Sequence, residues 1–105
     1  MQTQYEYEVY IPTVNEEGDA YPASLLESYK ALLVERFGGV TDFRHRSEGL
    51  WRVGNTTFRD EIVLYRVLSD DRARARNELR SLQERMRREL KQKEVLVIER
   101  QVMSL

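Results

Sequence analysis

The chain has 105 residues, which is enough for one domain with a core of its own. Its 17 basic and 18 acidic residues nearly cancel, so no net field draws it onto nucleic acid or an anionic membrane. The absence of cysteine excludes a disulfide scaffold and a Cys-based zinc site. Because neither a signal-peptide pattern nor an apolar run of membrane-spanning length is present, we expect a cytoplasmic protein without a membrane partner.

The first elements along the chain are predicted to be a strand and a helix. Residues 5–11 alternate between apolar and polar side chains and predict a strand. A helix is predicted over residues 22–37, because Ser24 and Glu27 match a capping box and Gly38 provides a helix stop. The residues expected to face the core are Leu25, Leu26, Tyr29, Leu33 and Phe37.

The remaining elements are predicted to be a hairpin, a second helix and a last strand. Residues 40–53 and 56–68 predict two strands, joined by a tight turn at Gly54-Asn55. A helix follows from about residue 71 to 91, with an acidic cap at its start. Its predicted core residues are Ala75, Leu79, Leu82, Met86 and Leu90, and residues 94–103 form the last strand.

This order of elements predicts the fold class. Strand, helix, strand, strand, helix, strand is the ferredoxin-like βαββαβ arrangement of the α+β class. It forms a four-stranded antiparallel sheet with two helices on one face, and we expect residues 1–105 to be a single domain. Because this fold hosts many unrelated functions, the fold alone does not identify an activity.

Two glutamates interrupt apolar runs and are the leading site candidates. Residues 64–68 and 95–98 are apolar at both odd and even positions, so both faces of the sheet should be covered. The helices can cover only one face. We expect the other face to meet further copies of the chain in a homotrimer, with a dimer as the alternative, and Glu61 and Glu99 to point into that junction.

A carboxylate in such a junction needs a partner, because desolvating an unpaired charge is costly. One interpretation is an interfacial ion pair; the candidate partners are Arg59, Arg66 and Arg100. The other is a semi-buried site that holds a cation or takes part in proton transfer. Tyr10 and Tyr65 would then add hydroxyl groups or cation-attracting rings.

Further candidates each have an ordinary structural explanation as well. His45 is the only histidine, so no His-based metal cluster forms within one chain, but it can act as a neutral hydrogen-bond partner. Gly39 and Thr41 follow a helix stop and can line a ligand pocket. Trp51 forms either a cross-strand pair with Phe58 or a platform for a flat ring such as adenine.

The arginine-rich second helix raises the question of nucleic acid. Helical pair spacing, as in Glu84 to Arg88 and Glu89 to Lys93, favours a solvated outer face instead. The sheet also lacks the aromatic pattern of RNA-recognition modules, and Glu6, Glu8 and Glu61 would repel a phosphate backbone. We therefore do not expect nucleic acid as a partner.

Two resemblances add to these predictions. Residues 37–41, with the sequence Phe-Gly-Gly-Val-Thr, and 49–51, with Gly-Leu-Trp, followed by Asp60, resemble a group of small bacterial proteins of unassigned function. From Gly49 onward the chain is also similar to the phage-type S-adenosylmethionine lyases, which have a ferredoxin-like, trimeric architecture related to the PII signalling proteins. The second resemblance rests on the following stretches: Gly49 with Trp51-Arg52, Asp60-Glu61, the helix start near Asp71, and Val95-Leu96-Val97.

The second resemblance implies an adenine-containing ligand between subunits, near Glu61 and Glu99. In the reaction of these lyases, the carboxylate of S-adenosylmethionine displaces methylthioadenosine and leaves homoserine lactone, so neither cofactor nor metal is required. The resemblance also admits a substrate whose methionine carboxylate is linked to a nucleotide. Tyr10 or Tyr65 would orient the substrate, and Trp51 would pack near adenine. Two alternatives stay open, namely a non-catalytic PII-like nucleotide sensor or sequestering protein, and a purely structural oligomer.

Overall fold

The computed structural model describes the backbone of residues 1–53 and 56–105 and the side chains of residues 1–43 and 62–105. Within these limits the predicted order of elements is confirmed. The elements are β1 (Gln2–Pro12), α1 (Ala23–Phe37), β2 (Thr41–Val53), β3 (Thr56–Ser69), α2 (Arg72–Leu90) and β4 (Val97–Ser104). The predicted turn at Gly54-Asn55 lies outside the described residues.

The four strands form one antiparallel sheet in the order β2-β3-β1-β4. The two central strands, β1 and β3, place Val9 opposite Tyr65, and β1 pairs on its other side with β4, where Val9 lies opposite Val97. This is the ferredoxin-like α+β fold predicted from the sequence. β4 lies at one edge of the sheet and begins at Val97, three residues later than expected.

The core lies between the sheet and the two helices. Odd-numbered residues of the central strands are buried there; they are Tyr7, Val9, Ile11, Tyr65 and Val67. We call this side of the sheet the helix face. Even-numbered residues of β1, β3 and β4 lie on the opposite side, which we call the open face, because alternate side chains of a strand point to opposite sides.

Helix α1 is flanked by Pro22 at its N-terminus and Gly38 at its C-terminus. Pro22 occupies the N-cap position without a side-chain hydrogen bond, so the predicted capping box of Ser24 and Glu27 is wrong. Because the helix already begins at Ala23, Ser24 lies inside the first turn and cannot act as its cap. The predicted stop is confirmed: Gly38 has φ 81° and its N–H donates to the carbonyl of Val34 at 2.8 Å.

Helix α2 follows the sequence prediction closely. The Asp71 side chain accepts a hydrogen bond from the Arg74 N–H at 3.1 Å and caps the helix. The predicted apolar stripe is buried in full; it consists of Ala75, Leu79, Leu82, Met86 and Leu90. No helix in the described part of the chain is both long and apolar enough to cross a membrane.

Polar contacts hold the two helices in register. The Tyr29 hydroxyl donates to the Glu89 carboxylate at 2.9 Å, and burial together with this bond raises the pKa of Tyr29. Glu89 also accepts from Arg85 at 2.9 Å rather than pairing with Lys93 as predicted. Glu89 therefore links α1 to α2 by polar contacts, in addition to the apolar contacts of the core.

Candidate functional site

Glu99 lies at the centre of a hydrogen-bonded cluster between α2 and β4. Arg76 donates to both carboxylate oxygens, through Nε at 2.8 Å and Nη2 at 2.7 Å. Arg72 adds a third bond at 3.1 Å, and the Tyr7 hydroxyl adds a fourth at 2.8 Å. Each carboxylate oxygen therefore accepts two hydrogen bonds, which uses its lone pairs fully.

These contacts fix the ionisation of the cluster. The hydrogen bond from Arg76 is the main cause that holds the pKa of Glu99 well below its ordinary value; Arg72 and Tyr7 act in the same direction and outweigh the opposing effect of burial. Burial and the bond to Glu99 raise the pKa of Tyr7 to about 12. Glu99 is thus a permanently ionised acceptor, and Tyr7 is a permanently neutral donor at physiological pH.

The placement of Glu99 corrects two expectations from the sequence. Glu99 lies on the helix face, opposite Tyr7, and not on the face that the helices leave open. Its arginine partners come from α2, so the predicted partnership with Arg66 or Arg100 is wrong for this residue. The strand pattern correctly grouped Glu99 with Tyr65 and Val97, but the helices cover the face that these residues share.

The cleft beside Glu99 has a volume of about 330 Å³. Its lining residues are Tyr7, Arg76, Leu79, Arg80, Gln83, Val97 and Glu99. Three arginines, Arg72, Arg76 and Arg80, are spaced four residues apart on α2 and lie near one carboxylate, so the local formal charge is positive. The geometry around Glu99 therefore suits an anion better than the cation that the sequence predicted.

A second charged cluster lies on the open face and is centred on Glu8. Its carboxylate accepts hydrogen bonds from the Tyr10 hydroxyl at 2.9 Å, from Arg66 at 3.2 Å and from Arg100. Both arginines also pair with Glu6. The Glu8 side chain is only 6% exposed, although no helix covers this side of the sheet.

The charges of the open-face cluster balance. Burial alone would raise the pKa of Glu8, but the hydrogen bonds from Tyr10, Arg100 and Arg66 outweigh it and lower this pKa below its ordinary value. The two glutamates and the two arginines carry equal and opposite formal charges. Around them lie partly exposed apolar side chains, namely Phe43, Leu64, Leu68, Ile98 and Val102. A neutral, partly apolar face of this kind can be covered by protein at a low desolvation cost.

The predicted site residues occupy separate places in a single chain. Tyr65 belongs to the core, where its hydroxyl donates to the Leu26 carbonyl at 3.2 Å. Gly39 and Thr41 line a groove of about 340 Å³ that also contains Arg66. Tyr10 lies on the open face with Glu8. The side chains of the other candidates lie outside the described residues; these are His45, Trp51, Arg59 and Glu61.

Sequence reasoning missed the two clusters of charged side chains, one around Glu99 and one around Glu8. Arg72 and Arg76 were treated as members of a solvated helix face, although their spacing, continued by Arg80, marks one stripe of α2. Glu8 was considered only as a carboxylate that would repel a phosphate backbone. The alternation of residues 5–11 predicts a strand, but the arginine partners of Glu8 come from two other strands and only the sheet register brings them together.

Among the residues whose side chains are described, no three acidic or histidine side chains cluster in a way that would hold a metal ion. The side chains with N–H donors in the cleft beside Glu99 are Arg76, Arg80 and Gln83. These donors suit carboxylate, phosphate and the edges of heterocyclic bases.

Comparison with known proteins places the fold. No protein-family model matches the sequence, and no curated protein matches it. Among solved structures, the chain is similar to a phage S-adenosylmethionine lyase in complex with S-methyl-5'-thioadenosine, with a TM-score of 0.64 and 9% identity. The match covers 99% of this chain and 92% of the lyase chain. At this low identity the two proteins are shown to share their fold over nearly their whole length.

Proposed function

We propose that this protein is an oligomer that binds S-adenosylmethionine, or a nucleotide-linked derivative of it, and cleaves it to methylthioadenosine and a homoserine lactone product. The observation that carries this proposal is the full-length fold similarity to a phage S-adenosylmethionine lyase whose structure contains methylthioadenosine. The resemblance of short stretches from Gly49 onward points to the same family of enzymes.

The proposed cleavage reaction requires few catalytic groups from the protein. In S-adenosylmethionine itself, a carboxylate oxygen of the methionine group forms a bond to the γ-carbon. The bond between that carbon and sulfur breaks, its electron pair neutralises the sulfonium, and methylthioadenosine departs from the lactone. No proton, oxidant or metal is consumed. Holding the substrate in the reactive conformer and excluding water can contribute several kcal/mol to such an intramolecular step.

The open face supports a site shared between copies. Tyr10 lies there beside apolar side chains and the cluster of balanced charges around Glu8. Covering this face with a second copy would therefore exclude water from the surroundings of Tyr10. In a single chain, the groove of Gly39 and Thr41 adjoins the cluster of Tyr10 through Arg66, which lines the groove and donates to Glu8. Assembly through the open face would enclose the substrate site with surfaces of a second copy, in line with the trimer expected from the sequence.

The proposed roles of the acidic pair now differ. Glu99 has no free lone pair for a substrate, so it positions Arg72 and Arg76 rather than balancing the sulfonium. Glu61 keeps the proposed role of balancing the sulfonium or binding the substrate amino group. Tyr10 would orient the substrate through its ring, because aromatic rings attract sulfonium-like cations. Tyr65, whose hydroxyl contacts Leu26 in the core, supports the sheet instead.

Mass spectrometry tests this proposal. The purified protein is incubated with S-adenosylmethionine and, separately, with a panel of adenine nucleotides, and both bound and released small molecules are identified. We expect methylthioadenosine and homoserine lactone from S-adenosylmethionine. Glu61→Gln should reduce turnover at least about tenfold while the oligomer stays folded. Binding of nucleotides without any product would favour the sensor alternative, and no binding at all would favour the structural oligomer.

A further inference from the structure

The cleft between α2 and β4 has features of a preformed anion site that the proposed lyase reaction does not require. Arg76 is held in a two-point contact by Glu99, and Arg72 is held both by Glu99 and by the Tyr5 ring, 5.2 Å from the guanidinium carbon. Arginines fixed in this way lose little side-chain entropy when a ligand binds. Preorganisation of this type is typical of sites that recognise phosphate.

The donor count shows that the cleft has unused binding capacity. A guanidinium group carries five N–H donors. In the cleft lining, Arg76 uses two of its N–H groups on Glu99, which leaves about three available. Arg80 also lines the cleft, is exposed and has no hydrogen bond or ion pair among the described residues. Glu99, by contrast, has no lone pair left to accept from a ligand.

We propose that this cleft binds the phosphate group of a small phosphorylated metabolite. Two arginines one turn apart on α2, Arg76 and Arg80, line the cleft beside a single carboxylate, and Arg72 pairs with the same carboxylate, so the local formal charge is positive. The space of about 330 Å³ lies at the small end of ligand pockets and fits a phosphate or pyrophosphate with its attached group. Leu79 and Val97 give the cleft an apolar floor on which a sugar or base can rest.

This inference goes beyond the proposed lyase function and does not depend on it. S-adenosylmethionine carries no phosphate, so the cleft would serve either a second ligand or the nucleotide part of a linked substrate. In both cases the contact is the same, namely arginine N–H groups to phosphate oxygens. A probe without adenine or methionine therefore tests the cleft separately from the lyase reaction.

The test uses isothermal titration calorimetry with inorganic pyrophosphate, adenosine diphosphate and adenosine. The variant Arg80→Gln removes a cleft donor that has no structural partner in the described residues. The matched control is Arg88→Gln, an equal change of charge on an exposed residue of the same helix, about 12 Å further along its axis and outside the cleft. Thermal melting of both variants verifies that they remain folded.

We expect pyrophosphate and adenosine diphosphate to bind, and Arg80→Gln to weaken the binding of both at least about fivefold while Arg88→Gln changes it less than about twofold. Any binding of adenosine, which carries no phosphate, should be the same in wild type and Arg80→Gln. Tighter binding of adenosine diphosphate than of pyrophosphate would support a nucleotide as the source of the phosphate, and equal binding would support recognition of the phosphate alone. Equal losses in the two variants would show non-specific attraction and overturn the proposal. Undetectable binding of pyrophosphate would overturn it as well.

Discussion

Glu99 accepts four hydrogen bonds, and this number separates a positioning carboxylate from a reactive one. A carboxylate that acts on substrate needs a free lone pair or a proton to exchange. Glu99 has neither, because its contacts occupy both oxygens and keep it ionised. Its contribution is therefore to stability and to the orientation of Arg72 and Arg76.

The first prediction concerns the stability of this cluster. Glu99→Gln keeps the side-chain volume but removes the charge that neutralises two arginines. We expect the free energy of unfolding in urea to fall by about 1 kcal/mol, because charge-assisted hydrogen bonds are lost in a cluster that is partly screened by water. Glu84→Gln is the control, since Glu84 is 63% exposed and its ion pair among the residues with described side chains is with Arg87. An equally large effect at Glu84 would contradict this interpretation.

The second prediction concerns the pH dependence of the same difference. The pKa of Glu99 is depressed in the folded protein, so its stabilisation is present above the unfolded-state pKa, near 4.5, and is lost as pH falls towards the folded-state value. The gap in unfolding free energy between wild type and Glu99→Gln should therefore be constant from pH 7 to about 5 and shrink below that. Urea titrations at several pH values measure it. A gap that widens in acid would rule out a depressed pKa.

How far the sequence predicted the site depends on the residue. The unusual glutamate in an apolar run correctly marked Glu99 as a group with partners. Strand alternation shows which side chains share a face, but it does not show which face the helices cover when both rows are apolar. Tyr65 and Glu99 were therefore assigned to the wrong side of the sheet. The arginine partners of Glu8 depend on strand register, which one sequence does not specify.

At the scale of elements, the helices show where local signals were sufficient. Every predicted core residue of α2 is buried, because its apolar side chains recur at helical spacing over several turns. The start of α1 was misread, since a Ser and a Glu three residues apart also occur within a helix. The stop at Gly38 was correct, because a left-handed residue is needed there and glycine adopts that conformation freely.

The third prediction uses the two glycines that follow α1. Gly38→Ala should lower the free energy of unfolding by about 1 kcal/mol, because φ of 81° is strained for a residue with a Cβ atom. Gly39→Ala is a matched control, since its backbone has no positive φ and no atom lies within 4 Å of an added Cβ. Chemical denaturation of both variants provides the comparison. Equal losses at the two positions would refute the role of backbone conformation at Gly38.

At the scale of the whole molecule, the open face is the feature that a single chain leaves unexplained. Glu8 is nearly buried within a cluster of balanced charge, and partly exposed apolar side chains surround it. Exposed apolar surface with few unpaired charges is typical of association surfaces. The sequence predicted an oligomer from the same strands, although it placed different residues in the junction.

The fourth prediction is that the chain assembles through this face. Leu68 on the open face and Val34 on α1 are exposed to similar degrees, 48% and 45%, so replacing either by lysine should perturb the folded chain little. We expect wild type and Val34→Lys to form a trimer or dimer in light scattering, and Leu68→Lys to dissociate, because the interface would then bury an unpaired charge. A wild-type monomer at micromolar concentration would exclude the assembly, and an undisturbed Leu68→Lys oligomer would place the interface elsewhere.

The proposal that assembled copies cleave S-adenosylmethionine is tested most directly by the amount of methylthioadenosine released per chain. This amount is compared among wild type, Leu68→Lys and Val34→Lys. Liquid chromatography with mass spectrometry measures the product together with homoserine lactone. We expect equal amounts of the two products from wild type and Val34→Lys, and a loss of at least about tenfold for Leu68→Lys, because the site in a single chain would be open to water. Unchanged S-adenosylmethionine with the wild-type protein, or full activity in a monomeric Leu68→Lys variant, would contradict it.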